Sequence, residues 1–111
     1  MKVGVREHFD SMHLLPGHPK CGVPHGHTYV VEAVVEGPLK DGMVVDFDVL
    51  KRELRGILRE LDHTDLNVRL PFPSCENICL HIHERLRRTI HQERIAVRVW
   101  EGEGKWAEHA G

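Results

Sequence analysis

Residues 25–36 read His-Gly-His-Thr-Tyr-Val-Val-Glu-Ala-Val-Val-Glu, and their side chains alternate in character. From Tyr29 onward every odd position is apolar, whereas the even positions alternate between valine and glutamate. A period of two residues is typical of a β-strand with one face in the core. The sequence therefore predicts a strand over residues 25–36 whose odd-numbered side chains are buried. Val30 and Val34 lie on the even-numbered face, outside this predicted core, and could pack against another element or another copy of the chain.

The segment before this strand repeats the alternation. Val3, Val5 and Phe9 are apolar at odd positions, which predicts a strand over residues 2–13. Between the two strands, residues 14–24 contain three prolines and two glycines and are predicted to form a loop. We expect the two strands to pair antiparallel across this loop.

After Gly37-Pro38 the apolar residues recur with a helical period. The predicted elements are a helix from Asp46 or Asp48 to about Leu61, a loop over 62–73, a helix over about 75–91 that Ser74 caps, and strands over 94–101 and 105–110. The order ββααββ is typical of the α+β class, and the chain is interpreted as one domain over residues 1–111.

Composition argues against several functional classes. Fifteen Lys and Arg against seventeen Asp and Glu give a net charge of −2, which is unusual for a nucleic-acid-binding protein. The apolar runs are far shorter than the ~20 residues of a membrane span, and the N-terminus lacks the apolar core of a signal peptide. We therefore expect no membrane partner and a cytoplasmic location. The three cysteines are an odd number, which favours free thiols.

Histidine is frequent, with ten residues in 111. His25 and His27 stand at i and i+2, so they point the same way on a strand, and His13 lies beside them if the two strands pair antiparallel. Three nitrogen ligands without a fourth protein ligand are typical of a catalytic zinc site with one open position. Zn²⁺ is preferred to copper or iron on ligand type and availability. The alternative is that His25-Gly26-His27 is a turn and His13 a surface residue.

Other side chains could carry chemistry beside this ion. Cys21, in the connecting loop, is a candidate base, nucleophile or further ligand, or else an inert loop thiol. Asp62 could orient His63 and raise its basicity, although the helix dipole explains a histidine at that helix end equally well. From the residues alone, Glu101 is expected to be a solvated strand end.

Two further groups are predicted to be structural. Cys75 and Cys79 are one helical turn apart and are expected to be small apolar fillers. His81 and His83 also form an H-x-H pair, but on a helix their side chains diverge by about 200°. We expect both of these histidines to lie on the surface.

Six short motifs follow one another between residues 9 and 101. They are Phe9-x-x-x-His13, Cys21-x-x-x-His25-Gly26-His27, Val45-Asp46-Phe47-x-x-Leu50-Lys51, Leu61-Asp62-His63-x-x-Leu66-Asn67, Ser74-x-Glu76-Asn77 and Val99-x-Glu101. Together they resemble the 6-pyruvoyl-tetrahydropterin synthase family. The short gap between Cys21 and His25 is similar to the bacterial branch, the 6-carboxy-5,6,7,8-tetrahydropterin synthases of queuosine biosynthesis, because the pyruvoyl-forming branch usually has a longer gap.

The resemblance implies a T-fold, in which a four-stranded antiparallel sheet with two helices on one face joins other copies into a barrel. Family members are commonly homo-hexamers, two trimers face to face, with active sites completed at subunit boundaries. The uncovered even face of the predicted sheet independently favours association between copies. The implied substrate is 7,8-dihydroneopterin triphosphate, from which the bacterial branch, acting as a lyase, releases triphosphate and acetaldehyde.

The resemblance also implies a role for each motif residue. The zinc ligands are His13, His25 and His27, the general base is Cys21, the acid/base partners are Asp62 and His63, the pterin anchor is Glu101, and Glu76 is a further substrate contact. The chain departs from the family pattern at Ser11, Met12 and Cys75, which bears on substrate fit.

Three alternatives remain open from the sequence. A sister activity, pyruvoyl-forming or aldolase-like, would share the site and release a different product. A non-catalytic zinc- or pterin-binding T-fold protein would keep the metal ligands but would need none of Cys21, Asp62 and His63. For the triphosphate, Arg6, His18 and Lys20 are candidate contacts.

Overall fold

The computed structural model describes residues 1–111, with four strands and three helices. They are β1 (Lys2–His13), β2 (His25–Glu36), α1 (Phe47–Leu61), α2 (Leu66–Arg69), α3 (Cys75–Arg87), β3 (Arg94–Glu101) and β4 (Lys105–Ala110). The strands form one antiparallel sheet in the order β1-β2-β3-β4. This confirms the predicted α+β class and the four-stranded antiparallel sheet.

The core lies between the helices and the odd-numbered face of the sheet. Tyr29, Val31, Ala33 and Val35 of β2 are all fully buried, as the alternation predicts. The helices contribute a matching apolar stripe, which comprises Leu50, Leu54, Ile57, Leu58 and Leu61 of α1 and Ile78, Ile82 and Leu86 of α3. On the opposite face, Val30 and Val34 are only half-buried. One face of the sheet is therefore packed and the other is partly open to solvent.

Side-chain caps fix where the two long helices begin. Asp46 accepts a hydrogen bond from the backbone N–H of Asp48, and Ser74 accepts one from that of Asn77. Such caps satisfy backbone donors that the first turn of a helix leaves free. The predicted starts of both helices are thus confirmed.

Two predicted boundaries are wrong. The loop over 62–73 contains α2, a single turn that Asp65 caps and that is too short to show a period in sequence. The second long helix ends at Arg87 rather than near residue 91. The guanidinium of Arg87 binds the carbonyls of Ile90, Gln92 and Glu93, which folds the chain into a turn instead.

The segment that follows α1 is tied to the outer edge of β1. Ser11 is buried, and its hydroxyl donates to the carbonyl of Leu61 at 2.9 Å and contacts that of Thr64. The backbone N–H of His63 donates to the carbonyl of Asp10 at 2.6 Å. Ser11, one of the departures from the family pattern, therefore has a structural role in holding this segment. None of the three helices is long and apolar enough to cross a lipid bilayer.

Candidate metal centre and adjoining cleft

Three imidazoles converge at the end of the β1–β2 hairpin. The register pairs His13 with His25 and Ser11 with His27, so all three rings lie on the odd-numbered face. The ring centroids are 4.5 Å apart for His13 and His25, 5.1 Å for His13 and His27, and 4.7 Å for His25 and His27. One nitrogen from each ring lies within 4.8 Å of the other two. This grouping could hold a single metal ion.

Backbone carbonyls set the orientation of two of these rings. Nδ1 of His13 lies 2.7 Å from the carbonyl of Pro73, and Nδ1 of His25 lies 2.7 Å from that of Val23. A carbonyl only accepts, so each Nδ1 carries the proton and each Nε2 keeps its lone pair. Partners of this kind commonly fix the tautomer of metal-binding histidines.

The chemistry of the donor set fits a divalent cation. His13 is 1% exposed, and its buried Nε2 has no hydrogen-bond partner; the same is true of Nε2 of His27. Buried polar nitrogens without partners are costly, and a bound ion would satisfy both at once. Burial lowers the pKa of His27, which favours the neutral form that binds metals.

Tyr29 lies next to His13 and His27 on the same face of the sheet. It stacks on Phe9 with ring centroids 4.8 Å apart, and its hydroxyl lies 3.3 Å from Nδ1 of His13. Burial raises the pKa of the tyrosine well above its usual value, so the hydroxyl stays protonated. The sequence assigned Tyr29 only to the core, although it continues the odd-numbered row that contains His27.

Glu101 lies next to the metal centre and is not a solvated strand end. Its side chain is 12% exposed, and its Oε1 is 3.4 Å from Nε2 of His27 and 3.4 Å from Nζ of Lys105. The register of β2 with β3 places Glu101 opposite Tyr29, which brings the carboxylate to the imidazoles. The expectation from the residues alone is therefore wrong here.

A cleft of about 750 Å³ opens beside Glu101. Its walls include Phe72, Ser74, Cys75, Glu76, Glu101, Lys105 and Trp106. Three of these residues, Phe72, Lys105 and Trp106, were missed in the sequence. The position of Lys105 could have been predicted from the sequence, because a tight turn over residues 102–104 brings residue 105 back opposite residue 101. The cleft offers carboxylates and aromatic surface to a flat polar ligand.

Asp62 and His63 form a pair on the outer edge of β1. Oδ1 of Asp62 accepts from the backbone N–H of Asp10 at 2.9 Å, and Oδ2 lies 2.9 Å from Nδ1 of His63. The bond from Asp10, and then the one from His63, lowers the pKa of Asp62. Asp62 in turn raises the pKa of His63. His63 has a φ of 54°, a left-handed conformation held by its bond to Asp10.

This pair does not join the imidazoles within one chain. Asp62 lines a separate cleft, together with Glu7, His8, Arg55 and Arg59. Cys21 is half-buried in the hairpin loop, and its sulfur is not one of the converging ligand atoms. The structure thus brings together the three histidines and Glu101, with Glu76 on the wall of the adjoining cleft, whereas Cys21 lies in the hairpin loop and the Asp62–His63 pair at the outer edge of β1.

The helical cysteines have a packing role. Cys79 is buried and donates to the carbonyl of Val97 at 3.0 Å, while Cys75 donates to that of Val99 at 3.2 Å. Burial raises the pKa of each thiol to about 11, so both stay protonated. Cys75 also lines the cleft, which places this departure from the family pattern on the same wall as Glu101.

The prediction of a surface position is wrong for His83. Its side chain is buried, with Nε2 3.1 Å from the carbonyl of Ile95 and the ring 4.6 Å from that of His109. His81 is half-buried. The two rings have separate surroundings, because residues i and i+2 of a helix point in different directions.

Known proteins similar to this chain include several tetrahydropterin synthases. The model of a family described as 6-pyruvoyl tetrahydropterin synthase matches residues 2–111. A protein of Archaeoglobus fulgidus provisionally named 6-carboxy-5,6,7,8-tetrahydropterin synthase is 44% identical over 97% of this chain and 94% of its own length. The 6-carboxy-5,6,7,8-tetrahydropterin synthase of Haemophilus influenzae is 28% identical over 97% of each chain. A dihydroneopterin monophosphate aldolase of Pyrococcus furiosus is 45% identical over 70% of each chain.

Solved structures agree on the fold. A 6-pyruvoyl tetrahydropterin synthase of Plasmodium vivax superimposes with a TM-score of 0.88 and 22% identity, covering all of this chain and 97% of that one. That of Caenorhabditis elegans superimposes with a TM-score of 0.87 and 21% identity. Both likenesses identify the T-fold. The match of the family model over residues 2–111 shows that this chain belongs to the 6-pyruvoyl tetrahydropterin synthase family.

Proposed function

We propose that this chain is a zinc-dependent lyase that converts 7,8-dihydroneopterin triphosphate to 6-carboxy-5,6,7,8-tetrahydropterin with release of triphosphate and acetaldehyde. The observation that carries the proposal is the group of three imidazoles, two with buried unpartnered nitrogens, beside a carboxylate-lined cleft. The names of the Archaeoglobus and Haemophilus relatives supply the choice of product.

His13, His25 and His27 would hold the zinc ion. Three nitrogen ligands leave one coordination position for substrate, as in other catalytic zinc sites. A bound zinc ion would act as a Lewis acid that polarises the side-chain oxygens of the substrate. The chain's own contribution is the fixed orientation of His13 and His25, because their carbonyl partners hold each Nε2 toward a common point.

Two carboxylates are suited to anchor the pterin. Glu101 is 12% exposed, and its Oε1 accepts a hydrogen bond from Nζ of Lys105 at 3.4 Å, which restrains the carboxylate before a ligand binds. A carboxylate can accept two parallel hydrogen bonds, and a pterin ring offers an amino group with an adjacent N–H. Glu76, on the same cleft, is the second contact.

Cys21 is the proposed general base, which removes a side-chain proton of the substrate. It lies in the loop between the two ligand-bearing strands, four residues before His25 in sequence. Asp62 and His63 are the proposed acid/base partners. The raised pKa of His63 means that this imidazole keeps its proton to a higher pH than an isolated one and can donate it.

Association between copies would complete this machinery. Asp62 and His63 lie at the edge of β1, away from the cleft of their own chain. Within one chain, β1 and β4 are the outer strands of the sheet, so part of the β1 edge and the edge of β4 have no neighbouring strand. Val30 and Val34, on the open face of the sheet, are half-exposed. We infer that a neighbouring copy pairs along these edges, closes a barrel and brings its Asp62–His63 pair to the cleft, in a homo-hexamer of two trimers.

An aldolase-like reaction is the second candidate, favoured by the Pyrococcus relative named dihydroneopterin monophosphate aldolase. It would use the same metal centre and pterin anchor and would also release a two-carbon fragment, but as glycolaldehyde rather than acetaldehyde. Pyruvoyl formation is a further sister activity. A non-catalytic binding protein is less well supported, because it would need neither Cys21 nor the Asp62–His63 pair.

Product analysis separates these reactions. Incubation of the zinc-loaded protein with 7,8-dihydroneopterin triphosphate is expected to release acetaldehyde and triphosphate in equal amounts, with 6-carboxytetrahydropterin as the pterin product. Chromatography with mass detection identifies all three. Glycolaldehyde would assign the aldolase reaction, and a pyruvoyl product would assign the pyruvoyl-forming one. Matched reactions with dihydroneopterin monophosphate show which phosphate form is preferred.

The oligomeric state can be tested independently. Sedimentation at micromolar concentration is expected to give a mass near six times the 12.8 kDa of one chain. Introducing a charge on the half-exposed face, with Val34→Glu, is expected to shift the distribution toward smaller species, since a buried charge in an interface is costly. A wild-type monomer would refute the proposed assembly.

A further inference from the structure

The loop of residues 14–24 is organised around the side chain of His18. Nδ1 of His18 accepts hydrogen bonds from two successive backbone N–H groups, that of Lys20 at 3.1 Å and that of Cys21 at 2.9 Å. A nitrogen that accepts two N–H groups is unprotonated, so the ring carries its proton on Nε2. The imidazole therefore plays the part that an Asx or Ser/Thr side chain plays in a turn.

The same loop fixes the other backbone group of Cys21. The N–H of Leu15 donates to the Cys21 carbonyl at 2.7 Å, and the N–H of Gly22 donates to the His18 carbonyl at 3.0 Å. Gly22 is needed for this approach, because a Cβ at that position would lie 2.7 Å from the His18 carbonyl oxygen. Both polar backbone groups of Cys21 are thus held, and only its side-chain torsion is left free.

We propose that His18 is a positioning residue that fixes the backbone of Cys21 and thereby aims the thiol at the substrate. The proposal rests on the proposed role of Cys21 as the base. Leu15 and His18 also line the cleft that contains Glu101, so the loop that His18 organises forms part of the wall of the ligand site. A general base must reach its proton within hydrogen-bond distance, so loss of this fixation would reduce the productive fraction of enzyme.

Two substitutions at His18 separate this role from packing. Asparagine places Oδ1 close to where Nδ1 lies and can accept the same two N–H groups, whereas leucine has a similar volume and no acceptor. We expect His18→Leu to lower kcat about tenfold with KM within a factor of two, and His18→Asn to stay within about threefold of wild type. Zinc content should be unchanged in both. His91→Leu, at an exposed position, is the matched control.

Alkylation of Cys21 measures the position of the thiol without turnover. Iodoacetamide labelling followed by peptide mass spectrometry resolves Cys21 from Cys75 and Cys79, whose thiols donate to carbonyls and stay protonated to about pH 11. We expect His18→Leu to label Cys21 several-fold faster than wild type, since a released loop exposes the half-buried thiol. His18→Asn should label it at the wild-type rate.

The kcat values and labelling rates of the two His18 variants decide whether His18 positions Cys21. Wild-type kcat and labelling in His18→Leu would refute the proposal, and so would an asparagine variant as impaired as the leucine variant. If wild type itself turns over none of the dihydroneopterin phosphates, the proposed function fails. The labelling rates still decide in that case whether His18 holds the loop.

Discussion

Replacing His27 with alanine is expected to abolish zinc binding and turnover together. The substitution leaves two of three nitrogen ligands, and it also removes the ring beside Glu101. Zinc bound by four protein ligands is worth roughly 10–16 kcal/mol, so each ligand contributes roughly 3 kcal/mol and its loss weakens binding more than about a hundredfold. Metal analysis after dialysis should fall from about one zinc per chain to near none, and product formation should fall below detection.

The control for this experiment is His91→Ala, which removes an exposed imidazole far from the hairpin in sequence. It should retain both zinc and activity. Circular dichroism should show that His27→Ala keeps its sheet, because β1 and β2 remain paired through their backbones. Stoichiometric zinc in a folded His27→Ala protein would mean that the ligand set is assigned wrongly.

Replacing Cys21 with alanine is expected to keep the zinc and lose turnover by about a hundredfold to ten-thousandfold, the range for loss of a general base. The thiol is not one of the converging ligand atoms, so metal content should stay at the wild-type value. The backbone bonds of residue 21 do not involve the side chain and should persist. Steady-state assays with 7,8-dihydroneopterin triphosphate, run beside metal analysis, measure both effects.

Cys79→Ala is the matched control, since it removes a thiol from the core without touching the cleft. It is expected to lose some thermal stability and to keep its turnover number below the unfolding temperature. Normal turnover in Cys21→Ala would exclude this thiol as the base. Loss of zinc in the same variant would instead identify Cys21 as a ligand.

The hairpin and its register were predictable because their signal is local. Strict alternation fixes which side chains of β1 and β2 face the core, and parity alone then places His13, His25 and His27 on one face. The helix starts were predictable for the same reason, since Asp46 and Ser74 cap neighbouring residues. Each of these features depends on residues within a few positions or on one antiparallel pairing.

The environment of Glu101 was not predictable from the residues, because it depends on two strand pairings at once. β2 must pair with β3 to bring Glu101 opposite Tyr29, and the chain must turn back to place Lys105 opposite it. His83 was misjudged for a related reason, because the strand beneath the helix supplies its partner at Ile95. Distant pairings leave no periodic trace in a short window of sequence.

All three imidazoles come from a single hairpin spanning residues 13–27, whereas most of the cleft wall and the Asp62–His63 pair come from later segments. The imidazoles that would bind the ion and most of the residues that line the cleft are therefore encoded in separate stretches of the gene. Substitutions in the later segments can therefore alter the surroundings of a bound pterin without changing the three imidazoles. That modularity offers a route by which one ancestral scaffold could give rise to enzymes with different products.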